Sequence, residues 1–490
     1  MHGRTPRLSL GALDRVPRSS YWTPPAVDPR SIRVGLAHLG IGAFARAHPV
    51  VYTELAAAAS GASNWGIVGV TQRSAAVRDQ LAPQDGLYSV LERGPGAAPL
   101  RVVGSLRDVV DGAADTGAVS ALIADPGVQV VTLTVTEKGY RRAAGGRLEL
   151  TDPLVAADLA GGEPASVVGR LVSGLQSRRA GTGAPLTILS CDNLVANGAV
   201  LQSLVADFCD ALPARDGEPL RAWLETSVRF PSCMVDRIVP AATEEDRAAA
   251  YSALGLHDRG LVVAEPYAQW VVEDDFAGPR PAWELAGAVL TDDVAPWETV
   301  KLRMLNATHS LLAYLGALRG YATIVEAVAD DDLAAAAESL MTVDVTPTLT
   351  VPDGLDLAAY RRQVLDRFAN PDLRHTTRQV AMDGSQKLPV RLLGTVRDRL
   401  AAGVVPEWAA LGVAAWMTYV ARCAAEGSDR LDDPLADRLV AAVGTATSAG
   451  QVVDSLLGVR EVFGTDLPDE RGLRDVLVRQ VGKLMAGFKG

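Results

Sequence analysis

The chain has 490 residues, with 47 Lys and Arg against 58 Asp and Glu, and a formal net charge of −11. That length exceeds what one ordinary core organises, so two domains are expected; 48% hydrophobic and 21% charged residues is the balance of a folded globular chain. The acidic balance argues against nucleic acid or an anionic membrane as partner, since both reward a basic face, while a few local cations can still build a site for a small anion.

Residues 1–30 are rich in Pro and Arg, without a clear period, and read as an arm lying on the surface. They carry Arg4, Arg7, Arg15 and Arg18 but no continuous apolar run, so no secretory signal is expected. A strand-like run at 32–36 is followed by a glycine-rich turn, a helical stretch at 49–59 and a second apolar run at 65–70, which together spell one βαβ unit. Further strand-like runs at 128–135, 186–190 and 261–265, separated by helical stretches, suit a parallel sheet buried on both faces. From about residue 295 the texture becomes helical, with helices expected over 332–341, 357–368 and 390–402. The apolar run at 408–421 is shorter than the ~20 residues of a membrane span and reads as a buried helix. Cys191, Cys209, Cys233 and Cys423 have no CxxC spacing and read as buried free thiols. The expectation is therefore an α/β chain, with a doubly wound domain over 1–290 and a mostly α-helical domain over 291–490. It is expected to be cytoplasmic, and a monomer or small homo-oligomer.

The turn reads Gly40-Ile41-Gly42-Ala43-Phe44-Ala45, a G-x-G-x-x-A placed between a strand and a helix. Gly40 permits the tight turn, Gly42 lets a pyrophosphate approach the backbone, and the small Ala45 lets helix and strand pack closely. In this context the motif points to a Rossmann-type dinucleotide site, whereas a lone glycine turn would be merely structural. The second strand ends Val70-Thr71-Gln72-Arg73, without the acidic residue that binds a ribose 2′-hydroxyl. Arg73 either meets a 2′-phosphate, stacks on adenine or is a plain surface arginine, so NAD is favoured only modestly over NADP.

The segment from Trp297 to Ser310 has a second anomaly. On a regular helix with Lys301 as reference, Glu298 falls near 60°, His309 near 80° and Asn306 near 140°. Leu302 and Leu305 lie among them, a mixture that suits neither a solvated face nor an apolar core, and buried polar groups need partners. One answer is a satisfied core network; the other is a ligand. Hydride transfer to a ketone leaves an alkoxide, which a shielded lysine can protonate and an Asn amide can stabilise. The six histidines and four cysteines form no metal-ligand cluster in sequence, so a zinc mechanism is not expected.

The segment resembles the polyol-specific long-chain dehydrogenase (mannitol dehydrogenase) family, and the similarity runs over roughly residues 30–400. It touches Gly40 to His48, Asp85-Gly86-Leu87-Tyr88, Thr134 to Tyr140, Cys191-Asp192-Asn193 with Asn197-Gly198, Val235-Asp236-Arg237-Ile238, Lys301 to His309, and Asp383 to Lys387. The resemblance implies Lys301 as general acid/base, Asn197 and Asn306 holding the oxyanion, His309 on substrate hydroxyls, and Glu298 on a proton path beside Lys301. It implies cofactor contacts from Gly40, Gly42, Ala43, Phe44, Arg46 and Arg73, with Asp236 near the nicotinamide or substrate. Lys387, together with Arg374, His375 or Arg378, would reach the far end of the substrate, and the site would lie between the two domains. Ala45 stands where the family more often has a His before the Arg, which removes one phosphate contact. Several of these residues also have structural readings: Asn197 as a cap, Asp236 and Arg237 as an ion pair, Asp383 as a turn former and Lys387 as a surface residue.

Within the family, residues 304–316 and 383–388 look closer to the branch acting on D-fructuronate and D-mannonate than to that acting on D-mannitol and D-fructose. Arg374, Arg378 and Lys387 would suit a uronate carboxylate, and a neutral polyol needs fewer charges. The competing class is a dinucleotide-binding regulator without catalysis, against which the joint presence of Lys301, Asn306, Asn197 and His309 speaks.

Overall fold

A computed structural model of the chain describes residues 6–143, 145–427 and 431–487. Arg4 lies outside the described residues. The chain forms two compact units, Met1–Ala295 and Pro296–Gly490.

The first unit is built on six parallel strands: β1 (Val34–Leu39), β2 (Gly66–Thr71), β3 (Leu106–Asp111), β4 (Val130–Leu133), β5 (Leu186–Ser190) and β6 (Val228–Arg229). Their spatial order is β3-β2-β1-β4-β5-β6, the doubly wound arrangement of a Rossmann sheet with its switch point between β1 and β4. Side chains alternate between two cores. Leu36, Ile67, Val130 and Leu189 enter one, while Ala37, Leu39, Val70, Val131 and Ile188 enter the other. That two-sided burial is why the strands read as unbroken apolar runs.

The run expected at 32–36 is displaced to 34–39, because the strand continues through a buried histidine, His38. The run at 261–265 does form a strand, Val262–Ala264, but it pairs with Tyr88–Glu92 in a separate four-stranded sheet rather than in the parallel one. That second sheet also takes in Trp22–Thr23, parallel to Leu100–Val103. Leu8 is fully buried and Arg7 bridges to His257, so the N-terminal segment from residue 6 onward is stitched into the unit and is not a surface arm. Its elements are one helical turn, Leu10–Leu13, and a two-residue strand, too short to print a period in the sequence.

The second unit is helical. Leu357–Phe368 forms over the expected span, and the apolar run at 408–421 lies inside the mostly buried helix Glu407–Glu426. No helix among the described residues is long and apolar enough to cross a membrane. Among the described residues three helices contain π segments, Lys301–Asn306, Leu340–Val345 and Pro389–Leu393, and the first packs against the other two. The helices expected at 332–341 and 390–402 accordingly each include a π stretch at one end.

His38 carries an energetic cost that pH exposes. It is fully buried, and burial pushes its pKa down to about 3, so the ring is neutral in the folded chain. The unfolded chain regains an ordinary histidine near 6.5. Unfolding therefore takes up a proton below pH 6.5, so stability is lost progressively as the pH drops from 6.5 toward 3, by about 2 kcal/mol at pH 5. Urea unfolding at pH 7 and pH 5 should show a smaller difference for His38→Gln than for wild type; equal differences would place the proton uptake elsewhere.

Candidate active site

In the first unit the chain leaves β1 at Leu39 and turns directly above the carboxyl end of β4. Gly40 has φ +95°, and a Cβ there would stand 2.1 Å from the Thr134 carbonyl oxygen. The N–H groups of Gly40 and Ile41 both donate to the Val70 carbonyl at the end of β2, at 2.8 and 3.2 Å. Gly42 differs from Gly40: its φ is −77°, and a Cβ would meet nothing closer than the Gly40 oxygen at 3.8 Å. Gly40 is therefore demanded by the fold, and Gly42 leaves an open face. The helix Ala43–Ala47 starts there without a side-chain cap, so the first N–H groups, of Ala43, Phe44 and Ala45, have no intrahelical acceptor. An open glycine, bare N–H groups and a helix start at a switch point fit a pyrophosphate.

Arg46 is turned inward. Its guanidinium donates to the Gly42 carbonyl at 3.2 Å and to the Gly260 carbonyl, lies 5.6 Å from the Tyr88 ring, and is buried. Its position clamps the turn to the second sheet rather than presenting the cation outward. Arg73 is exposed just beyond β2. Beside it Gln72 is held by the buried Arg170, whose Nη1 donates to Oε1 at 2.6 Å. The nearby carboxylate at the end of β3, Asp111, is turned toward Arg78 at 3.5 Å and accepts from Ala113 N–H.

Asn197 is buried at the start of the helix Asn197–Ala211. Its Nδ2 donates to the Asp192 carbonyl at 3.0 Å and the Cys233 carbonyl at 2.7 Å, while Oδ1 accepts from Cys233 N–H at 2.9 Å. Both amide hydrogens are thus committed to main chain, and Asn197 reaches an oxyanion only by exchanging one of them. Asp236 is buried at the end of the strand Cys233–Asp236, opposite Gln269. The arginine beside it pairs with a different acid: Arg237 Nη2 lies 2.7 Å from Glu92 and also donates to Glu265 O, while Nη1 donates to Ala47 O. Asp192, within the matched Cys191-Asp192-Asn193 stretch, takes a bracing role that the sequence does not assign to it. It accepts from the N–H groups of Val135 and Thr136 and from Tyr140 Oη at 2.7–3.0 Å, bracing the loop after β4, and burial pushes its pKa up.

In the second unit Glu298 and Lys301 are both buried and Asn306 is half-buried. The regular 100° step does not hold between them, because Lys301–Asn306 is π-helical. Its i→i+5 bonding widens the turn, so the arc drawn from a regular helix is replaced by a local bulge, a feature often found at functional sites. His309, on the helix Ala307–Arg319, stacks on Phe368 at 4.7 Å and on His375 at 5.5 Å, and its buried Nε2 has no hydrogen-bond partner among the described residues. Burial, then His375, Arg391, Arg367 and Lys387, hold this imidazole well below its usual pKa. Arg391 donates to Ser310 Oγ at 3.0 Å and to the Asn306 carbonyl at 3.4 Å. Lys387 Nζ lies on the carbonyls of Met382 at 2.5 Å and Val380 at 3.4 Å.

Of the three residues expected to accompany Lys387, His375 is the one stacked on His309. Arg374 is exposed with φ +51°, and Arg378 is exposed on the short helix Thr377–Ala381 and acts electrostatically on Tyr419. Arg367 and Arg391 were missed, since nothing in local spacing links residues 66 and 90 positions beyond Lys301 to it. No group of three or more His, Cys, Asp or Glu among the described residues could hold a metal ion.

Two domain profiles match the chain, the mannitol dehydrogenase Rossmann domain over residues 34–285 and the mannitol dehydrogenase C-terminal domain over 293–485. D-Mannonate oxidoreductase of Escherichia coli K12 is 41% identical over 453 residues, covering 91% of this chain and 92% of its own. Polyol:NADP oxidoreductase of Gluconobacter oxydans is 39% identical over 400 residues, covering 80% and 81%. The crystal structure of Pseudomonas fluorescens mannitol 2-dehydrogenase in ternary complex with NAD and D-mannitol superposes with a TM-score of 0.85 at 34% identity, covering 98% of this chain and 97% of that one.

The two turn glycines should separate in a stability measurement. Gly40→Ala is expected to lower the unfolding free energy by about 1–3 kcal/mol through its forbidden φ and the Thr134 clash. Gly42→Ala should stay within about 0.5 kcal/mol of wild type. Denaturant melts of both variants check this, and equal losses would show that the two positions share one backbone constraint.

Proposed function

The chain belongs to the mannitol dehydrogenase family of oxidoreductases acting on CH–OH groups, and from that premise we propose that it interconverts a ketone and an alcohol at C2 of a sugar acid, with D-fructuronate and D-mannonate as the pair and no zinc. The observation that carries the acid is the company of His309. Arg391, Arg367 and Lys387 all contribute positive potential there, a field suited to a carboxylate and needless for a neutral polyol. The similarity to D-mannonate oxidoreductase supports the same reading.

The bare turn at Gly42 and Ala43–Ala45 suits the pyrophosphate of NAD, or of NADP, for which the exposed Arg73 and the missing acid after β2 leave room. When bound, the nicotinamide supplies or takes the hydride at C2. Lys301, which is buried, gives a proton to the oxygen during reduction and removes it during oxidation. Glu298, one turn before it and buried, passes that proton onward, and Asn306 donates to the oxygen as negative charge develops. Asn197 assists by giving up one main-chain bond. Asp236 lies at the nicotinamide or substrate, His309 takes substrate hydroxyls through its unpaired Nε2, and Lys387 with His375, Arg374 or Arg378 receives the far end of the substrate.

A second reading, a dehydrogenase for D-mannitol and D-fructose, is favoured by the structural likeness to mannitol 2-dehydrogenase. Purified protein with NADH or NADPH and a panel of D-fructuronate, D-tagaturonate and D-fructose, followed by the absorbance of the reduced cofactor, decides between them. Turnover of fructose alone would favour the second reading, and no turnover with any of them would leave a non-catalytic dinucleotide binder. With the active substrate, Lys301→Ala should lower kcat by more than about 100-fold; a near-normal kcat would move the acid/base elsewhere.

A further inference from the structure

His38 stands two residues before Gly40 on β1, fully buried, with Thr132 as its register partner on β4. Thr132 and Thr134 point to the same side of β4, and the imidazole bridges them: Nδ1 lies 2.7 Å from Thr132 Oγ1 and Nε2 lies 2.9 Å from Thr134 Oγ1. Thr134 Oγ1 in turn lies 2.7 Å from the Gly40 carbonyl oxygen.

The direction of every proton in this chain follows from one fact. A carbonyl oxygen only accepts, so the single Thr134 hydroxyl hydrogen goes to Gly40. The oxygen of Thr134 must then accept from His38, which places the ring hydrogen on Nε2. A neutral ring has only one N–H, so Nδ1 is bare and accepts from the Thr132 hydroxyl, whose alternative acceptor, the Ala37 carbonyl, is farther at 3.5 Å. Hydrogen bonds therefore run in one sense from Thr132 through His38 and Thr134 to Gly40. The opposite tautomer would turn the Thr134 hydroxyl to Nε2 and leave the Gly40 carbonyl without it.

The Gly40 carbonyl is the hinge of the cofactor turn. It also accepts the Gly42 N–H at 2.6 Å, so its orientation sets where Gly42, the residue with the open face, is held. We propose that His38, as its Nε2–H tautomer, is a positioning residue for the dinucleotide: through Thr134 it aims the Gly40 carbonyl inward and thereby fixes Gly42 and the N–H groups that follow for the pyrophosphate. This rests on the reading of the turn as a nicotinamide dinucleotide site. A buried network that merely joined β1 to β4 would affect stability and leave dinucleotide affinity alone.

Thr134→Val removes the hydroxyl at nearly constant volume, and Thr134→Ser restores it. Binding of NADH and NADPH by fluorescence, and of ADP-ribose by calorimetry, reads the turn without turnover. The dissociation constant for the cofactor bound by wild type, and that for ADP-ribose, should rise about threefold to tenfold in Thr134→Val, the worth of one hydrogen bond, and return to within about twofold in Thr134→Ser. The KM for the sugar substrate at saturating cofactor should not follow. Unchanged ADP-ribose affinity in Thr134→Val overturns the proposal. Failure of wild type to bind either dinucleotide overturns the cofactor reading itself, and the role of the relay with it. Nitrogen-15 spectra of histidine-labelled wild type should show His38 neutral with its hydrogen on Nε2, and a hydrogen on Nδ1 overturns the proposal even where the valine variant does not fold.

Discussion

The carbonyl oxygen of Thr134 leaves no room for a side chain on Gly40, and much of the first unit depends on that contact. Because β1 and β4 are neighbours, the chain leaving β1 has to pass over the end of β4, and it can do so only with a positive φ at residue 40. The same passage brings the N–H groups of Gly40 and Ile41 onto Val70 and so ties the turn to β2 as well. What remains unbonded after those ties is the start of the helix at Ala43. The dinucleotide site is in this sense the residue of a packing problem: the backbone groups free to meet a phosphate are those that the three strand ends do not use.

Buried polar side chains dominate both candidate regions, but they are handled differently. In the first unit three of them are fully engaged. Asn197 spends its amide on two carbonyls and an N–H, Asp192 collects two N–H groups and a tyrosine hydroxyl, and Arg237 meets Glu92, Ala47 and Glu265. Such networks hold loops rigidly after the strands. In the second unit His309 keeps a buried nitrogen without a partner while cations surround it, an arrangement that costs free energy in the absence of a ligand and is offset when a polar anion arrives. The π segment at Lys301–Asn306 belongs to the same economy, since a wider turn alters which side chains share a face.

Much of the architecture was legible because it is written in local periodicity. The runs at 65–70 and 186–190, the helix at 49–59 and the helix at 357–368 stand within a residue or so of their observed bounds. The turn glycines were legible for a different reason: only glycine tolerates the backbone that Gly40 adopts, so the motif records a steric fact. The N-terminal segment was misread because a two-residue strand and a single helical turn carry no period. The strand Val262–Ala264 was recognised as a strand but assigned to the wrong sheet, since pairing partners 170 positions apart leave no local trace.

The sequence by itself determined the class of the chain, the strand–turn–helix unit with its two different glycines, and a polar helix segment around Lys301 that no ordinary core or surface would carry. These are consequences of side-chain size, charge and spacing over a few residues. Only tertiary structure decided that Arg46 faces inward, that Asn197 is engaged by Asp192 and Cys233, and that His38 acts on Gly40 through Thr134. It also decided that Arg391, Arg367 and Lys387 are the charges felt by His309. Each of these depends on which distant segments the packing of apolar strands and helices brings together, and hydrogen bonds and Coulomb forces act over ångströms in space without regard to distance along the chain.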